Sequence, residues 1–291
     1  MPELRLLTAG DEAGLETFLA RYADSSMFLR SNARAAGLVD LSAPMQATYV
    51  AACERGAITA VAAHCWNGMV LVQAPPPADV AAVVREAVRR SGRGVTGFTG
   101  PWAQVVAARA ALSLGGARAA KDSREDLYAL ELRELAIPAV LASGPAPPHC
   151  RHPNQGDLEL LARWRVSFSV EALAAVDTPA LRRACRDDVG LLHARGADWV
   201  LYDGATPVAY AAFNAMLPDI VQVGGVWTPP PLRGRGYGRA VVAGSLLAAR
   251  KQGVQRAVLF ADPANAAAKR AYLSLGFRVV GDYGLVLLGK D

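Results

Sequence analysis

The chain has 291 residues, of which 52% are hydrophobic and 20% charged, and it carries a formal net charge of +5. This is enough apolar material for packed cores, too long for one core of ordinary size, and too weakly charged for a disordered chain. The charge is modest for the length and no Lys/Arg block is interleaved with aromatics, so nucleic acid is not an expected partner.

The opening residues, MPELRLLTAGDEAG, show no basic start followed by an apolar run, and longer apolar stretches are broken by charge or Gly before about 18 residues. No membrane association is expected, and the reading is a cytoplasmic protein. Cys53, Cys65, Cys150 and Cys185 lie far apart without a CxxC, which reads as reduced, mostly buried thiols rather than a disulfide framework. His149, Cys150 and His152 cluster, but a fourth ligand at metal-like spacing is missing, so no metal is expected.

Residues 138–157 carry five prolines and two glycines with almost no apolar periodicity. That composition suits a connector, and it divides the chain into an N-terminal domain (1–137), a linker (138–156) and a C-terminal domain (157–291). After Asp157, a plausible N-cap, the positions Leu160, Leu161, Trp164, Phe168 and Leu173 recur at helical spacing. A second helix is expected from Pro179 towards Leu192. Three strands joined by tight turns follow, Trp199–Tyr202, Val208–Met216 and Ile220–Thr228, with turns at Asp203-Gly204 and Asp219. The pattern then turns helical over 236–251, gives a short buried strand over 257–260, a helix over 264–275 ended by Gly276, and a strand from Phe277 to Leu288. Strands followed by alternating helix and strand imply an α+β fold with a mixed, mostly antiparallel sheet flanked by helices.

The pattern repeats within the chain. Arg90-Ser91-Gly92 and Leu112-Ser113-Leu114-Gly115 match Lys251-Gln252-Gly253 and Leu273-Ser274-Leu275-Gly276 at an offset of 161 residues, whereas Pro75-Pro76-Pro77 matches Pro229-Pro230-Pro231 at 154. The first copy is therefore seven residues shorter over the stretch that holds Leu232–Gly238, and Ala111 stands at the register of Tyr272. A duplicated fold whose first copy lacks loop and hydroxyl reads as a structural partner to one active site; chance alignment of Ala-rich helices and Pro runs is the plainer alternative.

The missing stretch is chemically the most informative. Arg233-Gly234-Arg235-Gly236-Tyr237-Gly238 follows a strand and opens a helix, so its glycines let the backbone turn tightly and aim successive N–H groups at one point. The helix dipole and the charges of Arg233, Arg235 and Arg239 favour a pyrophosphate there. Arg239 stands where a dinucleotide fingerprint requires its third glycine, and no GK[ST] of a P-loop is present.

This region resembles the GNAT superfamily of N-acetyltransferases. The likeness covers residues 157–288 and rests on two motifs: Val226-Trp227-Thr228-Pro229-Pro230 running into the glycine loop, and Asn265, Ala268, Tyr272, Gly276 and Phe277 in the following helix and turn. The whole resembles tandem GNAT proteins, two GNAT-like domains of which only the second works. The resemblance implies acetyl-CoA as cosubstrate, with the backbone of Val226, Trp227 and Thr228 pairing with the pantetheine arm, the loop amides of 233–239 on the pyrophosphate, and Asn265 meeting the cofactor from the other side. It also implies Tyr272 as the acid that protonates the departing thiolate, since a phenol stays protonated at neutral pH; without the resemblance Tyr272 reads as a packing residue.

Residues 220–228 carry no carboxylate to act as base, with Gln222, Gly224 and Gly225 in their place, and Gly224-Gly225 reads as a bulge. Water relayed to a distant group is expected, with Glu171 the candidate and an exposed helix glutamate the plain alternative. The acceptor is read as a small-molecule or peptide primary amine, attacked in a ternary complex by a monomer or homodimer. Its specificity is expected around residues 164–195, where Trp164, Arg165 and Phe168 are candidates for the pocket. A non-catalytic acyl-CoA-binding regulatory module is the competing reading, and a longer acyl chain a third.

Overall fold

The computed structural model describes residues 2–76, 78–142 and 146–289. Met1, the last proline of the Pro75–Pro77 run, the connector residues Ser143, Gly144 and Pro145, and Lys290 and Asp291 lie outside the described residues. The chain forms two compact units, Met1–Leu127 with Gly281–Asp291, and Tyr128–Val280.

In chain order the first unit contains β1 (Glu3–Leu6), α1 (Glu12–Leu19), α2 (Met27–Ala36), β2 (Ala47–Glu54), β3 (Ala57–Cys65), β4 (Met69–Gln73), α3 (Val80–Ser91), β5 (Gly97–Gly100) and α4 (Trp102–Ala111). β6 (Ala119–Glu131) passes into the second unit, which holds β7 (His149–Arg151), α5 (Leu158–Leu173), α6 (Pro179–Ala194), β8 (Asp198–Asp203), β9 (Thr206–Met216), β10 (Ile220–Trp227), α7 (Tyr237–Lys251), β11 (Arg256–Ala261) and α8 (Ala266–Ser274). β12 (Arg278–Leu288) returns the chain to the first unit at Gly281.

The two units repeat one pairing scheme. β2, β3 and β4 are antiparallel neighbours and β4 pairs with β5 in parallel; β8, β9 and β10 are antiparallel neighbours and β10 pairs with β11 in parallel. Strand alternation then sorts the side chains to two faces. In the first unit it sends Tyr49, Ala51 and Cys53 into one core with Leu15 and Phe18, and Val50 and Ala52 into another with Val83 and Val105. In the second, Val221 and Val223 pack with Ala240, Val241 and Ala243 of α7, while Tyr210, Ala212 and Trp227 pack with Leu161 of α5 and Val189 of α6. Phe98, Phe213 and Phe277 are among the fully buried side chains, each contributing roughly 2–3 kcal/mol of apolar burial.

The compact units divide the chain differently from the linker read in the sequence. Val140 and Leu141 pack against the α7 core, and β7 adds to the edge of β8 by pairing His149–Arg151 with Tyr202–Val200. A proline-rich stretch is excluded from a sheet's interior but not from its edge. The second part of β12 belongs to the first unit, where Gly284–Leu287 pairs with Gly100–Gly97 and Tyr283 and Val286 are buried. Local pattern identifies this strand but not its distant partner. Asp157 precedes α5 as expected, yet its carboxylate accepts from the Asn154 N–H at 2.8 Å and the Tyr202 hydroxyl at 2.5 Å instead of capping α5.

Candidate active site

β10 pairs with β11 only over Ile220–Gln222 and Arg256–Val258, although the two strands continue to Trp227 and Ala261. The parallel strands therefore part after Gln222, and the main chain of Val223–Trp227 faces β11 without a ladder partner. On its other edge β10 slips register against β9 between Gln222 and Val223 and again between Gly224 and Trp227, and Gly225 sits at φ +59°. The bulge expected at Gly224-Gly225 is present. A strand that opens on one side and bulges on the other offers backbone N–H and C=O groups to a ligand.

The glycine loop begins where β10 ends. Pro230–Leu232 forms one 3₁₀ turn, Gly234 and Gly236 both take φ +80°, and α7 starts at Tyr237. The first closed helical bond runs from the Ala240 N–H to the Gly236 carbonyl at 2.9 Å, so the amides of Tyr237, Gly238 and Arg239 have no intrahelical acceptor. Gly238 lies against β10's extension: a Cβ there would stand 3.3 Å from Thr228 Oγ1. Arg233 donates from Nε to the Thr228 carbonyl at 3.0 Å and stacks 4.8 Å above the Trp227 ring. Arg239 reaches from Nη1 to Ser274 Oγ at 3.3 Å, while its Nε is buried with no hydrogen-bond partner among the described residues. Three amides without an intrahelical acceptor, a positive helix end, a guanidinium nitrogen unpartnered among the described residues and two exposed arginines together favour an anion. Trp227 and Val226 turn their side chains into the cores, which leaves their backbone as the part on offer.

Tyr272 lies on the last turns of α8, half-buried, its ring 5.9 Å from that of Tyr128 and 6.0 Å from that of Phe277. The Arg239–Ser274 bond brings this end of α8 to the first turn of α7, and so joins Tyr272's segment to the loop. Asn265 is at the opposite end of α8, about 10 Å along the axis, and its Oδ1 accepts from the Ala268 N–H at 3.0 Å as an N-cap. Glu171 is close to the loop for a different reason than proton transfer requires: its carboxylate takes a hydrogen bond from Arg233 Nη2 at 2.9 Å. Tyr237 hydrogen-bonds to Asp203 Oδ2 at 2.5 Å, and this bond pushes its phenol pKa up.

Residues 161–277 match the model of the Acetyltransferase (GNAT) family. The second unit carries a GNAT domain. Among solved structures, the chain is similar to an acetyltransferase of the GCN5-related family from Sphaerobacter thermophilus, at 17% identity and TM-score 0.59 over 99% of this chain and 97% of that one. A Drosophila protein aligns at 11% identity and TM-score 0.71 over 99% of both chains. A tandem GNAT protein from the clavulanic acid biosynthesis pathway aligns at 13% identity and TM-score 0.54 over 100% of both. No curated protein sequence matches the chain. A tandem GNAT fold is thus established, and a GNAT domain is a scaffold for acyl transfer from acyl-CoA.

In the first unit, side chains take up the corresponding donors. Asp79 caps α3, the counterpart of α7, its Oδ1 accepting from the amides of Ala81 at 2.9 Å and Ala82 at 3.2 Å. Gln104 Oε1 takes the Ala74 N–H at 2.6 Å, just past the end of β4. The carboxylate and the carboxamide occupy donors of the kind that the GNAT domain leaves open.

On the α5 and α6 side of the GNAT domain a polar group of residues went unread in the sequence. Asp198 is fully buried at the start of β8, with His193 Nδ1 3.5 Å from Oδ2 and His152 Nδ1 3.9 Å from Oδ1. Burial raises its pKa, against the lowering pull of the two histidines. Asp198 pairs with Ala212, which pairs with Gly224, so the carboxylate shares a sheet face and a cross-strand row with the bulge. Tyr210 is buried on the same face, which raises its phenol pKa, with the Asp198 charge adding to the shift. His152 donates from Nδ1 to the Asp198 carbonyl at 2.8 Å, and its ring lies 3.9 Å from that of Trp199. The signal that could have found Asp198 is a charged residue immediately preceding the apolar run of a central strand.

Proposed function

We propose that the GNAT domain transfers an acetyl group from acetyl-CoA to a primary amine, directly, in a ternary complex. The observation that carries this reading is the junction of the parted strands β10 and β11 with the unsatisfied amides of Tyr237, Gly238 and Arg239. Acetyl-CoA supplies the activated acyl group; Gly234–Arg239 hold its diphosphate and the open backbone of Val226–Thr228 orients its arm. An N–H on that backbone also serves the oxyanion that forms when the amine attacks. Tyr272 hands its proton to the leaving thiolate. Asn265 meets the cofactor from the α8 side. Glu171, held by Arg233, has a water-relayed route to the amine proton only if that ion pair opens.

The lack of a carboxylate on Ile220–Trp227 and the engagement of Glu171 favour, as a second reading, a module that binds acyl-CoA without turnover. The Tyr272→Phe variant separates the two. Its ring contacts with Tyr128 and Phe277 persist, so acetyl-CoA affinity stays unchanged while kcat towards a good amine falls about 10²- to 10⁴-fold. Unchanged turnover in the variant would refute the acid role, and binding without turnover in both proteins would establish the module.

A further inference from the structure

Building on the acyl-transfer reading, we infer that the GNAT domain binds a carboxylate at the β10 bulge through Arg165, so that its amine acceptor is of the amino-acid class. Arg165 lies in the middle of α5, on the face that covers Tyr210 and Trp227. Its side chain is 17% exposed, and its guanidinium stands over the Phe168 ring at 5.5 Å. Nη1 lies 2.9 Å from the point where a Cβ on Gly225 would be, so the cation sits directly against the positive-φ residue of the bulge. Tyr210 is also near, its Cε1 3.8 Å from the same point.

What sets this arginine apart is its lack of a matched anion. The other strongly buried guanidiniums have one: Arg30 binds Glu16 at 2.6 Å, Arg109 binds Asp122 at 2.6 Å, and Arg93 binds Asp40. Arg165 makes no side-chain hydrogen bond among the described residues, its Nε is buried and unpartnered, and the acid within ion-pair distance of it, Asp188, stops at 3.5 Å from Nη2 and is itself half in solvent. Tyr210 Oη and Gln222 Oε1, on the same face of the sheet, are also buried without hydrogen-bond partners among the described residues. A nearly buried cation with a distant counter-ion is stabilised by an incoming anion, and a guanidinium fork matches a carboxylate in particular. The position decides which carboxylate: the bulge is where β10 leaves β11, so an acid held there has its own amine beside the point of transfer. A carboxylate at the far end of a dicarboxylic acyl chain is the other source of the same chemistry.

The test uses the full-length protein with saturating CoA and a panel of α-, β- and ω-amino acids, each against its carboxamide, titrated by calorimetry so that no turnover is needed. At least one acid binds more tightly than its amide, by roughly 10- to 100-fold; Arg165→Met, which keeps the stem on Phe168, erases the preference without changing acetyl-CoA affinity, and Arg165→Lys restores part of it. Asp188→Asn, at an exposed position, strengthens acid binding by removing the competitor. A parallel arm compares succinyl-CoA with acetyl-CoA. Equal binding of every acid and amide, or a preference that survives Arg165→Met, overturns the inference; a preference confined to succinyl-CoA assigns Arg165 to the acyl chain and overturns the acceptor assignment. Selective acid binding without any acyl transfer would sink the acyltransferase reading and leave the carboxylate site standing.

Discussion

Gly236 offers a clean separation of backbone strain from electrostatics in the glycine loop. Its φ of +80° and ψ of 4° lie in the left-handed region, where a side chain costs about 1–2 kcal/mol. A Cβ added there would meet nothing closer than Arg239 Nη2 at 3.8 Å, so Gly236→Ala lowers stability by that strain alone and leaves the amides of Tyr237–Arg239 in place. Gly236→Glu carries the same strain and adds a negative charge where the proposed diphosphate site lies. Two unit charges about 6 Å apart at an effective dielectric near 20 repel by ~3 kcal/mol, and partial pairing of the new carboxylate with Arg239 offsets some of it. Calorimetric titration should therefore show acetyl-CoA binding within about threefold of wild type for the alanine variant. The glutamate variant should bind about 100-fold more weakly, with the gap narrowing as salt is raised. Equal affinity in both variants would mean that no diphosphate binds at this helix end.

Two further predictions concern the scaffold. A Cβ on Gly244 of α7 would stand 2.3 Å from Cβ and 2.9 Å from Sγ of Cys150 on β7, so Gly244→Ala should lose roughly 1–3 kcal/mol in urea unfolding, and a Cys150→Gly background should recover part of the loss; strictly additive losses would contradict that packing. Because burial raises the Asp198 pKa above its ordinary value of 3.8, the folded chain holds more protons than the unfolded one as pH rises from there, and the stability contributed by the buried acid declines with pH. The stability advantage of wild type over Asp198→Asn should therefore shrink from pH 4 upward, and a difference independent of pH would show that the carboxylate is not held in a desolvated site.

Much of the GNAT domain could be read from local chemistry. β8, β9 and β10 announce themselves by apolar runs broken at Asp203-Gly204 and Asp219, and the loop by glycines between a strand and a helix, because turns and helix starts depend on residues a few positions apart. The offset repeat was visible because α3 and α7, and α4 and α8, carry similar segments. What escaped depends on distant partners. β7 sits in a proline-rich stretch that reads as linker until β8 is there to receive it, and β12 divides at Gly281 for reasons found only in β5. Glu171 looked available until Arg233 was seen to hold it, and Asp79 and Gln104 look ordinary until the donors they occupy are compared with the open ones after β10. Asp198, His193 and Arg165 come together only once α5 and α6 cover the sheet.

The most direct test of the account is a crystal structure of the full chain soaked with acetyl-CoA. The diphosphate is expected against the amides of Gly234–Arg239, with the arm running between β10 and β11 towards the Gly224-Gly225 bulge. Density for the diphosphate at the N-terminus of α3, where Asp79 now sits, or no density at either helix, would contradict it.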